Sequence, residues 1–79
     1  MVGYLIKYRH GNKIYLGVVV DKIIKDNMNS TEESRYILEP TEYKIDEDSE
    51  VWSKLPDKSE LQIIQPKKII CILSRNPKV

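Results

Sequence analysis

The chain opens with two short runs of alternating residues on either side of a Gly-Asn pair. Apolar or aromatic residues recur at every second position over residues 4–9 and again over residues 14–21, with Gly11 and Asn12 between the runs. Period-2 alternation around a turn that contains glycine is typical of a β-hairpin. The chain is therefore restricted to folds in which its first two strands are antiparallel neighbours.

The length of the hairpin loop decides which residues face each other. A two-residue loop at Gly11 and Asn12 would pair Arg9 with Ile14 and mix charged and apolar side chains on one face. An odd-length loop pairs Tyr8 with Ile14 and gathers the apolar residues on one side. Because a one-residue slip moves every side chain to the other face, burial favours the second register. We therefore predict a three-residue loop with a positive φ at Gly11 or Asn12.

The segment after the hairpin has two interpretations. Residues 30–33 have the Ser-x-x-Glu form of a capping box, which would begin a helix. Residues 34–39 are contiguous and β-prone, without helical spacing, and Pro40 ends the run. We favour a third strand at 34–39 and leave the helix as the alternative.

The second half of the chain contains further strand-like runs. The acidic segment 39–50 is a short strand or an ordered loop, and residues 61–64 are predicted to form a strand. Residues 67–73 are predicted to form a final strand. It is apolar on both faces over 69–73, which predicts a position at the centre of the sheet or inside a closed barrel. We expect residues 74–79 to form a flexible polar tail.

Five or six short strands in 79 residues suggest either a small closed barrel or a two-sheet sandwich. Closure removes exposed edges, which a chain this small has little material to cover. We predict an all-β fold, a small SH3-like barrel of five to six short antiparallel strands over residues 1–73, which leaves room for one short helical turn. The predicted core consists of Tyr4, Ile6, Tyr8, Ile14, Leu16, Val18, Ile37, Leu61, Ile63, Ile70 and Ile72.

Three local features carry a resemblance to SH3-like barrels. Gly17 lies two residues after Tyr15 in the second run of the hairpin, a mid-chain strand ends at Glu39 and Pro40, and a Pro-containing turn at 55–61 precedes a late strand. The chain is similar to the small SH3-like barrel proteins of tailed bacteriophages and bacteria. The resemblance implies a fold and, for a phage-encoded protein, a host-directed role. The acidic and aromatic signature of signalling SH3 domains is absent, so recognition of proline-rich ligands is not implied.

Composition excludes several other classes of protein. A chain that is 41% hydrophobic and 32% charged is too apolar for disorder and too charged for a membrane protein. It has no signal-peptide pattern and no apolar run near the length that spans a bilayer, so we expect a cytoplasmic protein without membrane association. The single cysteine, Cys71, excludes an intramolecular disulfide.

The side chains that carry catalysis or bind metals are scarce. The one histidine, His10, lies in the predicted hairpin loop, and Cys71 lies in an apolar strand where a buried thiol is a poor nucleophile. One cysteine and one histidine do not supply a zinc site. Asp46, Asp48 and Glu50 have the alternate spacing of calcium ligands but lack the glycine of an EF-hand loop. No glycine-rich phosphate loop is present, so we predict a protein that is not an enzyme and has no cofactor or metal.

Charge is segregated along the sequence although the net charge is only +1. Residues 1–30 carry five basic and two acidic side chains, residues 31–50 two and eight, and residues 51–79 six and two. If the first and last strands are neighbours, their lysines and arginines form one positive face, with the acidic segment elsewhere.

This distribution favours a binding protein. The preferred function is association with another protein or with a second copy of the chain, as an adaptor or inhibitor. The alternative is binding of nucleic acid or a nucleotide, including sequestration of a nucleotide signal by an oligomer. In either case Tyr15 is expected to point outward beside Gly17. The candidate partner-binding residues are Leu5, Lys7, Arg9, Tyr15, Val19, Trp52 and Lys67.

Overall fold

Antiparallel strands account for most of the chain that the structure, a computed structural model, describes: residues 2–23, 34–56 and 59–75. The described strands are β1 (Leu5–His10), β2 (Lys13–Ile23), β3 (Arg35–Lys44), β4 (Ser53–Lys54), β5 (Gln62–Ile64) and β6 (Ile69–Ser74). A 3-10 turn at Pro66–Lys68 leads directly into β6. The all-β prediction is confirmed. The predicted capping box at 30–33 and the end of the predicted tail, residues 76–79, lie outside the described residues.

All six strands belong to one antiparallel sheet, in which the spatial order is β4-β3-β2-β1-β6. β5 also pairs with β3, on the edge that β4 uses: β4 faces Glu42 and Tyr43, and β5 faces residues 36–38. The first and last strands are neighbours, which is the condition set for a shared positive face. Among the described residues no backbone pairing joins β6 to β4 or β5, so β6 lies at an edge of the sheet. The prediction of a central position for the last strand is wrong.

The opening hairpin forms, but its predicted register is wrong. A two-residue turn at Gly11 and Asn12 pairs Tyr8 with Tyr15 and Arg9 with Ile14. Gly11 has a φ of 61°, which confirms the expected positive φ at the turn. In β2 the residues that face the core are consequently Tyr15, Gly17 and Val19, rather than the residues one position before each of them.

The observed register differs from the predicted one because Ile14 is buried on the other face of the hairpin. It is fully buried without belonging to the main core, and its partner in β3 is Lys44. The Lys44 ammonium donates a hydrogen bond to the Glu47 carbonyl at 3.0 Å and lies 5.0 Å from the centre of the Trp52 ring. The acidic segment therefore folds back over this end of the sheet, where Ile14 is covered.

The core lies on the opposite face, around Tyr8. Its buried residues are Ile6, Tyr8, Val19, Leu38 and Ile64, and the partly buried Tyr4, Tyr15, Tyr36 and Ile69 pack against them. The prediction is confirmed for Ile6 and Tyr8, whereas Ile14 is fully buried on the other face of the hairpin. Tyr4, Leu16, Val18 and Ile37 are half-buried.

Four predicted core residues, Leu61, Ile63, Ile70 and Ile72, are exposed. In β5, Gln62 pairs with core-facing Leu38, so Gln62 and Ile64 face the core and Ile63 points away. β6 is paired on one side only, which leaves Ile70 and Ile72 uncovered. These four assignments are wrong because they assumed that the sheet buries both faces of its last two strands.

The strand interpretation of the segment after residue 33 is confirmed, and β3 is longer than predicted. It continues through Pro40 to Lys44 instead of ending at the proline. Pro40 lies opposite Gly17 next to a register shift, which is a place where a strand tolerates a residue without an amide hydrogen. A Cβ atom at Gly17 would lie 2.9 Å from the Glu39 carbonyl oxygen and 3.0 Å from the Tyr8 ring, so β2 and β3 can approach here only because residue 17 is glycine.

Candidate functional site

The predicted partner-binding residues do not form one surface. Val19 is fully buried in the core, so it is not available to a partner. Tyr15 is half-buried on the core side of the hairpin, with its ring stacked on Tyr8 at 5.6 Å between centroids. The prediction that Tyr15 points outward is wrong, because the register places it opposite Tyr8. Leu5 and Lys7 are half-buried on the other face of β1.

The remaining candidates lie apart from one another. Arg9 forms an exposed ion pair with Glu47 at 3.5 Å, which stabilises the fold by less than about 1 kcal/mol. Trp52 is half-buried beneath the Lys44 ammonium, and Lys67 is exposed in the 3-10 turn. The acidic segment therefore touches the basic strand β1 through Glu47, rather than forming a separate negative region.

A concave groove lies between the β1–β2 turn and the segment that leads into β5. Its middle section has a volume of about 330 Å³. The side chains that give this section its apolar character are Tyr15, Pro40, Leu55, Leu61 and Ile63. Leu61 and Ile63 are 57% and 54% exposed, so the groove carries two large apolar side chains that the fold itself does not bury.

Concavities of opposite charge adjoin the two ends of this middle section. The basic end, of about 220 Å³, is lined by Arg9, Arg35 and Lys68 and shares His10 and Ile63 with the middle section. The acidic end has a volume of about 550 Å³ and shares Pro40 and Leu55 with the middle section. Its charged side chains are Glu39, Glu42 and Lys54. We call the three sections together the groove.

Aromatic residues support the groove from below. The Tyr15 ring contacts His10 edge-on at 6.0 Å and Tyr43 at 6.1 Å, in addition to Tyr8. The Tyr8 hydroxyl donates a 2.6 Å hydrogen bond to Oε1 of Gln62, which lines the groove. These contacts hold β5 against the hairpin and fix the position of the groove between them.

Tyr8, which supports the groove, is held in its protonated form. Burial, and secondarily the neighbouring Tyr15, raise the pKa of the Tyr8 phenol well above its ordinary value, so Tyr8 remains a protonated hydrogen-bond donor and is not a nucleophile. The Asp46 carboxylate, one of the residues with calcium-like spacing, accepts a hydrogen bond from the Ser49 amide at 2.9 Å. Within residues 2–23, 34–56 and 59–75, no group of three or more His, Cys, Asp or Glu side chains could hold a metal ion.

Sequence reasoning missed the groove because it assigned Leu61 and Ile63 to the core. The available signal was Gln62 between them: a polar residue can occupy the inward position when a buried phenol is its partner, and this reverses the faces of the strand. The expected positive face of the first and last strands already grouped Lys68 with Arg9, but no signal along the sequence adds Arg35 to them.

Comparisons with known proteins add no relative. No protein-family model, curated protein or solved structure matches the chain. None of the helices in the described part of the chain is long and apolar enough to cross a membrane. Function therefore has to be inferred from the geometry of the chain itself.

Proposed function

We propose that the protein is a non-catalytic binding module whose groove holds an extended segment of another protein. The observation that carries this proposal is the exposure of Leu61 and Ile63 in a concavity with oppositely charged ends. Large apolar side chains at the centre of a polar rim are typical of protein-binding sites. A charged rim orients the partner and raises the rate of association.

The groove also specifies the chemistry of the bound segment. Arg9, Arg35 and Lys68 favour a carboxylate at one end, and apolar side chains at the centre of the segment would pack on Leu61 and Ile63. Glu39 and Glu42 favour a basic residue at the other end. We therefore expect a segment that runs from acidic through apolar to basic.

The proposal includes a small SH3-like barrel as the scaffold, one that stays open beside β6 in the described part of the chain. The return of the last strand to the first, directly after a 3-10 turn, supports this assignment. The resemblance to barrel proteins of tailed bacteriophages adds a host-directed role in the cytoplasm, in which the module blocks or bridges a host protein.

Selection from a displayed library of random peptides tests the groove. The test variant is Leu61→Ser with Ile63→Thr, and the control is Ile45→Ser with Val51→Thr, which removes apolar side chains that are 69% and 72% exposed outside the groove. We expect the selected peptides to follow the predicted order of charges and to bind the test variant at least about tenfold more weakly than the wild type. Peptides that bind both variants equally well would place the site elsewhere.

Nucleotide binding is a second candidate function, and the basic end of the groove favours it. Arg9, Arg35 and Lys68 could contact phosphates there, while His10 and Tyr15 offer aromatic edges in the adjoining section. The acidic side chains at the other end of the groove weigh against a long nucleic acid.

Titration with mononucleotides and with random single-stranded DNA at several salt concentrations separates the two functions. Phosphate-led binding weakens steeply with salt, whereas packing on Leu61 and Ile63 does not. Binding of a mononucleotide that is lost in Lys68→Ala and retained in the Leu61→Ser, Ile63→Thr variant would favour the second function.

A further inference from the structure

The strongest feature outside the groove is the uncovered edge of β6. This strand pairs with β1 on one side, and among the described residues no strand pairs with its other side. Within the described ranges no partner is recorded for the backbone amide and carbonyl groups on that side, which is the pattern of a strand that can accept another. Natural edge strands are commonly interrupted by a charge or a proline, which prevents such pairing.

The side chains of β6 do not protect its edge. Ile70, Ile72 and Leu73 are 37%, 52% and 48% exposed, and no charged residue or proline lies between Ile69 and Ser74. An apolar strand of six residues with a free side has the properties of a surface that accepts another strand.

The charges at the two ends of β6 indicate which kind of strand would add to its free edge. Lys67 and Lys68 precede β6, and Arg75 follows it. In an antiparallel pair with a second copy, the lysines of one chain would lie beside Arg75 of the other, and like charges would repel at both ends. A parallel pair would bring lysine to lysine and arginine to arginine. The ends of β6 thus disfavour self-pairing and favour an acidic partner.

We propose that β6 binds an extended apolar strand of a partner protein by strand addition, and that acidic residues at both ends of this strand pair with Lys67, Lys68 and Arg75. Main-chain hydrogen bonds supply affinity, and the apolar side chains of the added strand cover Ile70, Ile72 and Leu73. The acidic ends determine which strands are accepted. This surface shares Lys68 with the basic end of the groove and does not depend on the apolar section around Leu61 and Ile63.

Three synthetic peptides with one alternating Val-Thr centre test the proposal. The first has two glutamates at each end, the second has two lysines at each end, and the third has the glutamates and a central proline. We expect the glutamate peptide to bind at least about tenfold more tightly than the lysine peptide at low salt, with a difference that shrinks as salt rises. The proline peptide should not bind, because it cannot complete the ladder of hydrogen bonds.

Variants of the protein locate the binding site. Ile72→Lys places a charge on the edge and should weaken binding of the glutamate peptide by at least about tenfold. Ile45→Lys, at another exposed apolar site, should leave the affinity for this peptide unchanged. Ile72→Thr keeps the β-propensity and reports whether position 72 tolerates change. Hydrogen exchange should show that the peptide protects amides of β6.

Several results would overturn the proposal. They are equal affinity for the glutamate and lysine peptides, unchanged exchange in β6, or a dimer whose β6 amides are already protected without peptide, which would assign the edge to a second copy. If the Leu61→Ser, Ile63→Thr variant no longer binds the glutamate peptide, the peptide binds in the groove and not on β6. If this variant still binds it, the two surfaces are distinct, whether or not the groove binds its own ligand.

Discussion

Tyr8 connects the core of the protein to its groove. Its ring is fully buried and stacked on Tyr15, and it occupies the space above Gly17 that a larger residue would need. Its hydroxyl reaches Gln62 in β5, so a single side chain spans from the hairpin to the strand that carries Ile63. A change at this residue should therefore affect both stability and the position of β5.

Stability should depend on pH through Tyr8. Because burial raises its pKa in the folded state, the phenol ionises first in the unfolded state, near the ordinary value of about 10. Around neutral pH the phenol is protonated in both states, so Tyr8 makes the free energy of unfolding neither rise nor fall with pH. Above about pH 10 it should fall by up to about 1.4 kcal/mol per pH unit.

Tyr8→Phe isolates this effect. At pH 7 the variant should be less stable by about 1 kcal/mol, because it loses the hydrogen bond to Gln62. The difference should shrink and then reverse between about pH 10 and 11, since the phenylalanine has no proton to lose. Urea unfolding followed by Trp52 fluorescence measures both curves, and curves that stay parallel over this range would contradict the assignment.

At the level of strands, the positions of the strands could be predicted from the sequence. Which of their faces are buried by the rest of the fold could not. The alternation over residues 4–9 and 14–21 identified the hairpin, and the β-prone run at 34–39 identified the beginning of β3. The register of the hairpin could not be deduced, because the burial of Ile14 depends on Lys44 and on a loop about thirty residues later. Apolar runs such as β6 indicate burial only when something covers them, and here the sheet ends.

The loop that covers Ile14 should depend on Lys44. This lysine is only 7% exposed, and its ammonium is satisfied by the Glu47 carbonyl and the Trp52 ring. Lys44→Ala should lower the free energy of unfolding by about 1–3 kcal/mol, because it removes a charged hydrogen bond and a cation–π contact. The emission of Trp52 should shift to the red as its ring becomes more exposed.

Lys54→Ala is the matched control for this substitution. Lys54 is exposed on β4, which pairs with the same strand β3. Unlike Lys44, it does not pack against the loop. Its loss should change stability by less than about 0.5 kcal/mol and leave the emission of Trp52 unchanged. An effect as large as that of Lys44→Ala would mean that charge near β3, and not the packing of Lys44 on the loop, stabilises this end of the sheet.

At the scale of the whole molecule, the two proposed surfaces are centred on different strands. The groove runs between the β1–β2 turn and the segments around β3 and β5, whereas the free edge belongs to β6. A module that binds one partner in the groove and a second along β6 would act as an adaptor. The two surfaces meet at one place only: Lys68 lines the basic end of the groove and immediately precedes β6.

This shared lysine predicts weak, salt-dependent coupling between the two surfaces. A groove ligand with its acidic end at Arg9, Arg35 and Lys68 would lie near the acidic end of a strand bound to β6, and the two carboxylates would repel each other. Saturating the groove should weaken the affinity of β6 for the glutamate peptide by about two- to fivefold at low salt. The effect should disappear in about 0.5 M salt, where charges more than a few ångströms apart are screened.

Calorimetric titration with the glutamate peptide, with and without a saturating groove ligand, measures the coupling. Lys68→Ala should strengthen it, because less positive charge then separates the two ligands. Complete exclusion of one ligand by the other at high salt would show that both peptides occupy a single site and that the module has one binding surface.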